Sequence, residues 1–132
     1  MKIKKTFQLL AFTGLLYATP NAQPVLVTPD SILFEKTVHD YGTILKGSEG
    51  VCEFKFINQG KAPQILSTVK ASCGCTVPEW SKDAILPGKT GVIKVKYNTQ
   101  ISGNFNRTIF ANSNARNSLV MLRITGDMIV NL

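Results

Sequence analysis

Helical periodicity is missing from this sequence: no segment holds apolar residues at the i, i+3, i+4, i+7 spacing over ten or more positions. No run approaches the roughly 18 apolar residues that a membrane helix needs, and there is no internal repeat or low-complexity tract. Histidine and tryptophan occur once each. Paired carboxylates, a phosphate-binding glycine loop, His-Glu-x-x-His and a nucleophile elbow are all lacking. Basic residues outnumber acidic ones by 15 to 8, yet no Arg-rich run or interleaved aromatics accompany them, so a nucleic-acid partner is not indicated. These gaps set aside bundles, solenoids and helical membrane spans, and they leave catalysis without a recognisable apparatus. What is there is apolar. A hydrophobic share of 44% against 17% charged argues against disorder, and 132 residues hold one domain with a core.

The first segment reads as an address. Lys2, Lys4 and Lys5 precede the apolar stretch from Phe7 to Tyr17, and small or polar residues follow, the three-part pattern of a secretory signal. The expected organisation is a signal peptide over 1–22, a short linker over 23–30 and one domain over 31–132. Cleavage is expected after Ala22, with Ala18 as the alternative. Without residues 1–22 the chain carries 12 basic and 8 acidic residues, a balance of +4 in place of +7. The remaining lysines are scattered singly, as on solvated strand faces. Export to the periplasm or the cell surface is the expected destination.

The domain reads as strands. Alternating or β-branched runs occur at Ile32–Phe34, Val51–Ile57, Ile65–Ala71, Thr90–Tyr97, Phe105–Ala111 and Leu119–Thr125. Turn chemistry separates them, including Tyr41-Gly42, Asn58-Gln59-Gly60 and Pro87-Gly88. Short strands at this density predict an all-β sandwich. Period two then assigns faces: Cys52, Phe54 and Phe56 go in, with Glu53 and Lys55 out. Ile93, Val95 and Tyr97 go in, with Lys94 and Lys96 out. Phe105 shares a face with Ile109, as Val120 does with Leu122 and Ile124. Cys52 is therefore expected to be a buried, unreactive thiol.

One run departs from this regularity: Ala71-Ser72-Cys73-Gly74-Cys75-Thr76, followed by Pro78 and Trp80. It lies within an ordered set of features. His39-Asp40-Tyr41-Gly42 comes before it, then Phe54-x-Phe56-x-Asn58-x-Gly60. Ile85-x-Pro87-Gly88, Gly91-x-Ile93-x-Val95-x-Tyr97, Gly103-x-Phe105, Ser113-Asn114 and Leu122-x-Ile124-x-Gly126 come after. In this order, over about residues 31 to 128, the chain resembles the DUF1573 family of exported Ig-like domains. The resemblance implies an Ig-like β-sandwich of about seven strands and implies no activity. Cys52 is a departure from that pattern.

If Cys73 and Cys75 pair, Cys52 is left over. Residues two apart reach disulfide distance only if the chain turns between them, freedom that Gly74 would supply. So small a ring would be strained and easily reduced, and closing it adds little entropy. Several chemistries stay open. The pair can end a strand and pack under Trp80. Two thiolates can hold Cu(I) or another thiophilic ion, joined by Met121, Met128 or His39. One thiol can attack and the other resolve, helped by Lys70 or Lys82. A Cys–His nucleophile using His39 is a fourth reading. Asn106-Arg107-Thr108 matches a glycosylation sequon, an unspecific signal. The reading carried forward is a non-enzymatic binding or accessory module that meets a protein partner. Its candidate functional loop is Cys73, Gly74, Cys75 and Trp80, and Cys73 and Cys75 are the candidate metal ligands.

Overall fold

The computed structural model describes residues 30–130, which form eight strands in two four-stranded sheets. The expected leader over 1–22, linker residues 23–29 and the last two residues lie outside the described residues. One sheet runs in the order β1 (Ile32–Phe34), β3 (Val51–Asn58), β6 (Thr90–Tyr97), β5 (Thr76–Trp80). The other runs β2 (Val38–Leu45), β8 (Leu119–Ile129), β7 (Gly103–Ser113), β4 (Leu66–Ala71). All pairs are antiparallel except β2 on β8. This is the Ig-like sandwich arrangement. The count is eight rather than about seven because the opening strand is split. Between Phe34 and Val38 the chain steps from the edge of one sheet to the edge of the other, where β2 lies parallel to the last strand.

The face assignments hold. Phe54, Ile93, Val95, Ile109, Leu122 and Ile124 are fully buried, and Cys52, Phe56, Tyr97 and Phe105 nearly so, while Val120 is only partly buried. Each side chain of this size contributes about 1.5–3 kcal/mol on burial. The rings of Tyr97 and Phe105 stack between the sheets with centroids 3.9 Å apart. The inter-sheet disulfide common in antibody domains has no counterpart here: Cys52 on β3 is a free, buried thiol.

Two strands were not legible, and both are edges. In β2 polar residues fall on both parities, so there is no clean alternation. Its Tyr41-Gly42 step is no turn between strands. It lies in an irregularity between Asp40 and Thr43, where Gly42 takes φ 69° and donates its N–H to Asp40 Oδ1. In β5 the central Pro78 hides the strand, and it is tolerated because β5 pairs on one side only. The segment from Thr76 to Trp80 is therefore a strand and not part of a loop, a correction to the expected Cys73 to Trp80 functional loop.

All four edges resist pairing with another chain. β1 has three residues, β2 and β4 are each interrupted by a register shift, and β5 carries Pro78. β4 and β5 border different sheets, and the chain passes between them through the cysteine turn.

Candidate functional site

Backbone ladders fix the cysteine turn at both ends. Beyond β4, Ser72 extends the pairing with β7: its N–H donates to Thr108 O at 2.8 Å, and its hydroxyl accepts from Thr108 N–H at 3.2 Å. On the other side Asn98 N–H donates to Cys75 O at 2.8 Å, and β5 starts at the buried Thr76. Between these anchors Cys73 and Cys75 form a disulfide, with Cα atoms 5.3 Å apart. Both residues are half-buried. Gly74 is not in the left-handed region, and a Cβ there would meet open space. The turn therefore does not require the conformational freedom expected of Gly74; the glycine leaves the outer side of the ring uncovered.

Polar groups converge on the two sulfurs. Cys73 Sγ accepts the N–H of Cys75 at 3.3 Å, and Thr76 Oγ1 lies 3.8 Å from Cys73 Sγ and 3.7 Å from Cys75 Sγ. The guanidinium of Arg107, from β7, donates its Nε–H to Cys75 Sγ at 3.2 Å. Beside the ring opens a shallow groove of about 310 Å³, lined by Gly74, Cys75, Val77, Lys96, Tyr97 and Asn98.

The other expected partners are elsewhere. Trp80 ends β5, roughly 16 Å of strand away from Cys75 at about 3.3 Å per residue. Its indole N–H donates to Leu66 O at 3.1 Å, closing the base of the β4–β5 unit whose tip is the disulfide. The expected packing of the cysteines under Trp80 is thereby corrected. Lys82 does not reach the sulfurs; its ammonium sits 4.3 Å from the Trp80 ring centroid. Lys70 points outward from β4 beside Phe110. His39 is on β2, at the opposite edge of its sheet from β4, about three strand spacings or roughly 14 Å across. There it contacts Lys36 Nζ at 2.9 Å through Nδ1 and meets the Tyr41 ring edge-on, and burial with the nearby Lys36 lowers its pKa. A Cys–His nucleophile is not assembled. Met128 is sealed in the core and Met121 stands exposed on β8, so neither joins the cysteines. Among the described residues no group of three or more His, Cys, Asp or Glu side chains is placed to hold a metal ion. Reduced, Cys73 and Cys75 would offer a thiophilic ion two sulfurs.

Sequence reasoning missed Arg107. Its one available signal was parity: it falls on the inward face of β7 between Phe105 and Ile109, an unusual place for a cation.

Cys52 takes no part in the cysteine turn; it is a free, buried thiol on β3, two strand spacings across the sheet from β5. Burial pushes its thiol pKa up, with the Tyr41 hydroxyl and Lys36 acting against that and Glu53 adding to it. Burial, then the Cys52 contact, raises the Tyr41 phenol as well, while its O–H donates to Gly50 O at 2.8 Å. Both groups are neutral when protonated, and both hold the proton to higher pH folded than unfolded. Unfolded, they titrate near about 8.5 and about 10. Stability is therefore whole below about pH 8.5 and falls above it, where the unfolded chain releases protons that the native state keeps. The urea midpoint measured from pH 7 to 10.5 should decline, and decline less in Cys52→Ala. Parallel curves for the two proteins would remove the thiol from this account.

A family model described as a protein of unknown function (DUF1573) matches residues 32–128, most of the chain. The chain belongs to the DUF1573 family. Among solved structures, this DUF1573 domain is similar to a protein of unknown function from Porphyromonas gingivalis W83. The TM-score is 0.65 at 16% identity, over 89% of this chain and 53% of that one. The chain thus spans about half the length of that relative. It is also similar to the ASH/PapD-like domain 7 of human CEP192, with TM-score 0.64 at 8% identity, covering 86% of this chain and 96% of that domain. A third likeness is to a chain of the CsuC-CsuE chaperone-tip adhesion subunit pre-assembly complex of Acinetobacter baumannii. There the TM-score is 0.53 at 8% identity, over 74% of this chain and 57% of that one. At these identities the likeness concerns the fold. No curated protein matches the DUF1573 chain by sequence.

Proposed function

We propose that the protein is an exported, non-enzymatic binding or accessory module that takes a segment of a protein partner at its Cys73–Cys75 end. The observation that carries this reading is the groove beside the disulfide. In register across the sheet, Lys94 stands between Glu53 and Glu79, so its charge has acidic neighbours on both sides. Lys96 stands between Val51 and Val77, with no acidic cross-strand neighbour, and both valines are exposed. A groove with an uncompensated ammonium flanked by apolar surface fits a partner segment bearing a carboxylate beside an apolar side chain. The guarded strand edges favour this end over strand addition. Export is supported by the basic and apolar pattern of residues 1–22 and by the disulfide, a bond that persists in oxidising compartments. The non-enzymatic reading is supported by His39, which is held at the far edge from the cysteines.

A photo-crosslinking side chain at Val77 tests this. Leu33, on the opposite edge of the same sheet, is the control because it is equally open, 49% against 52% exposed. In producing cells, a discrete adduct is expected from position 77, lost in Lys96→Glu, and none from position 33. Equal labelling from both positions, or an adduct indifferent to Lys96→Glu, would overturn the assignment of this groove.

A further inference from the structure

We propose that Cys73–Cys75 is a reducible disulfide of fixed polarity: an external dithiol attacks Cys73 Sγ, and Cys75 leaves as the thiolate held by Arg107. The proposal is independent of the groove's partner. It starts from a cation in an unusual place. Arg107 shares its strand face with Phe105 and Ile109, and it is half-buried. Its hydrogen bonds run from Nε to Cys75 Sγ at 3.2 Å and from Nη1 to the carbonyl of Asn106 at 3.4 Å. No carboxylate among the described residues forms an ion pair with it. A disulfide sulfur is a neutral, weak acceptor and leaves that charge uncompensated. A thiolate at the same position would compensate it.

The two sulfurs are not equivalent in this respect. Cys73 Sγ receives only a neutral backbone N–H, that of Cys75 at 3.3 Å. Thr76 Oγ1 is almost equidistant from both and does not discriminate. Hydrogen bonds with a charged partner are roughly twice as strong as neutral ones, so the anion is favoured on Cys75. A neighbouring arginine lowers a thiol's pKa, and the thiol of lower pKa is the better leaving group. The uncovered side of Gly74 gives the incoming thiol access to the ring.

One thiol of the dithiol loses its proton to solvent, and its sulfur bonds to Cys73 Sγ as the Cys73–Cys75 bond breaks, the electron pair leaving on Cys75 Sγ. The dithiol's second sulfur, deprotonated in turn, attacks its partner sulfur in the mixed disulfide. Cys73 then departs as thiolate and takes a proton. The dithiol is oxidised by two electrons to its own disulfide with net release of one proton to solvent, and the turn is reduced to the Cys73 thiol and the Cys75 thiolate paired with Arg107. Run backwards, the same steps reoxidise the turn.

The test compares two single-cysteine turns, Cys73→Ser and Cys75→Ser. The pH dependence of iodoacetamide alkylation is read at the remaining residue by peptide mass. The midpoint for Cys75 is expected at least about one unit below that for Cys73. Arg107→Met should raise the Cys75 midpoint and leave the Cys73 midpoint in place. It should also slow reduction of the intact disulfide by dithiothreitol by about 3- to 10-fold. Under excess glutathione, the trapped mixed disulfide should map to Cys73. Equal midpoints, a lower midpoint for Cys73, or an adduct on Cys75 overturns the proposal. Should Arg107→Met fail to fold, the two single-cysteine proteins, which keep Arg107, decide by themselves.

Discussion

Asn58→Ala should destabilise the domain by about 3–5 kcal/mol, a large part of the roughly 5–15 kcal/mol that separates folded from unfolded in domains of this kind. The side chain is fully buried at the end of β3. Its amide nitrogen donates to Ala62 O at 2.9 Å and to Ile85 O at 2.7 Å, and its carbonyl oxygen accepts from Gly60 N–H at 2.7 Å. One side chain thus fastens its own turn and the segment leading into β6. Alanine would leave three backbone groups without those partners and a void where water is excluded, each unsatisfied group costing about 1–3 kcal/mol. Asp, which keeps the shape but offers no donor, should recover only the Gly60 bond. Urea unfolding monitored by Trp80 fluorescence measures both variants. A loss below about 1 kcal/mol for alanine would show that the turn holds itself.

Phe105→Ala should cost about 3–5 kcal/mol for similar reasons of burial but different physics. The ring is stacked on Tyr97 at 3.9 Å and tilted against Tyr41 at 5.7 Å, so its loss opens a cavity between three strands. It is also pressed on Gly126, where an added Cβ would lie 2.6 Å from the Phe105 ring and 3.1 Å from the Tyr41 side chain. Gly126→Ala alone should therefore destabilise by about 1–3 kcal/mol through overpacking. Combined with Phe105→Ala, the same methyl should lose most of its penalty, because the ring atoms at 2.6 and 2.8 Å are gone and only the looser approach to Tyr41 Cβ at 3.1 Å remains. The double-mutant cycle carries the prediction: the two losses must sum to more than the loss in the double variant. Strict additivity would mean that the glycine is needed for something other than room for the ring.

How far the sequence reaches is visible in particular residues. Val51 to Asn58 and Thr90 to Tyr97 disclosed their buried faces because alternation is a local property of a strand with one wet side. The same reasoning placed Cys52 in the core, and the run around Cys73-Gly74-Cys75 stood out for its composition alone. β2 and β5 stayed hidden for an equally local reason: an edge strand with polar residues on both parities, or a proline at its centre, does not display the pattern of a half-buried one.

By itself, then, the sequence determined the class, the inward faces and the presence of two thiols one residue apart, since each follows from neighbours within a few positions along the chain. Only the tertiary structure decided what stands beside those thiols. Trp80, five residues from Cys75, proved distant because an extended strand separates them, while Arg107, 32 residues away, touches the sulfur. Period two fixes which side of a strand a residue faces; strand order, which sets what it faces, depends on contacts between segments far apart in sequence.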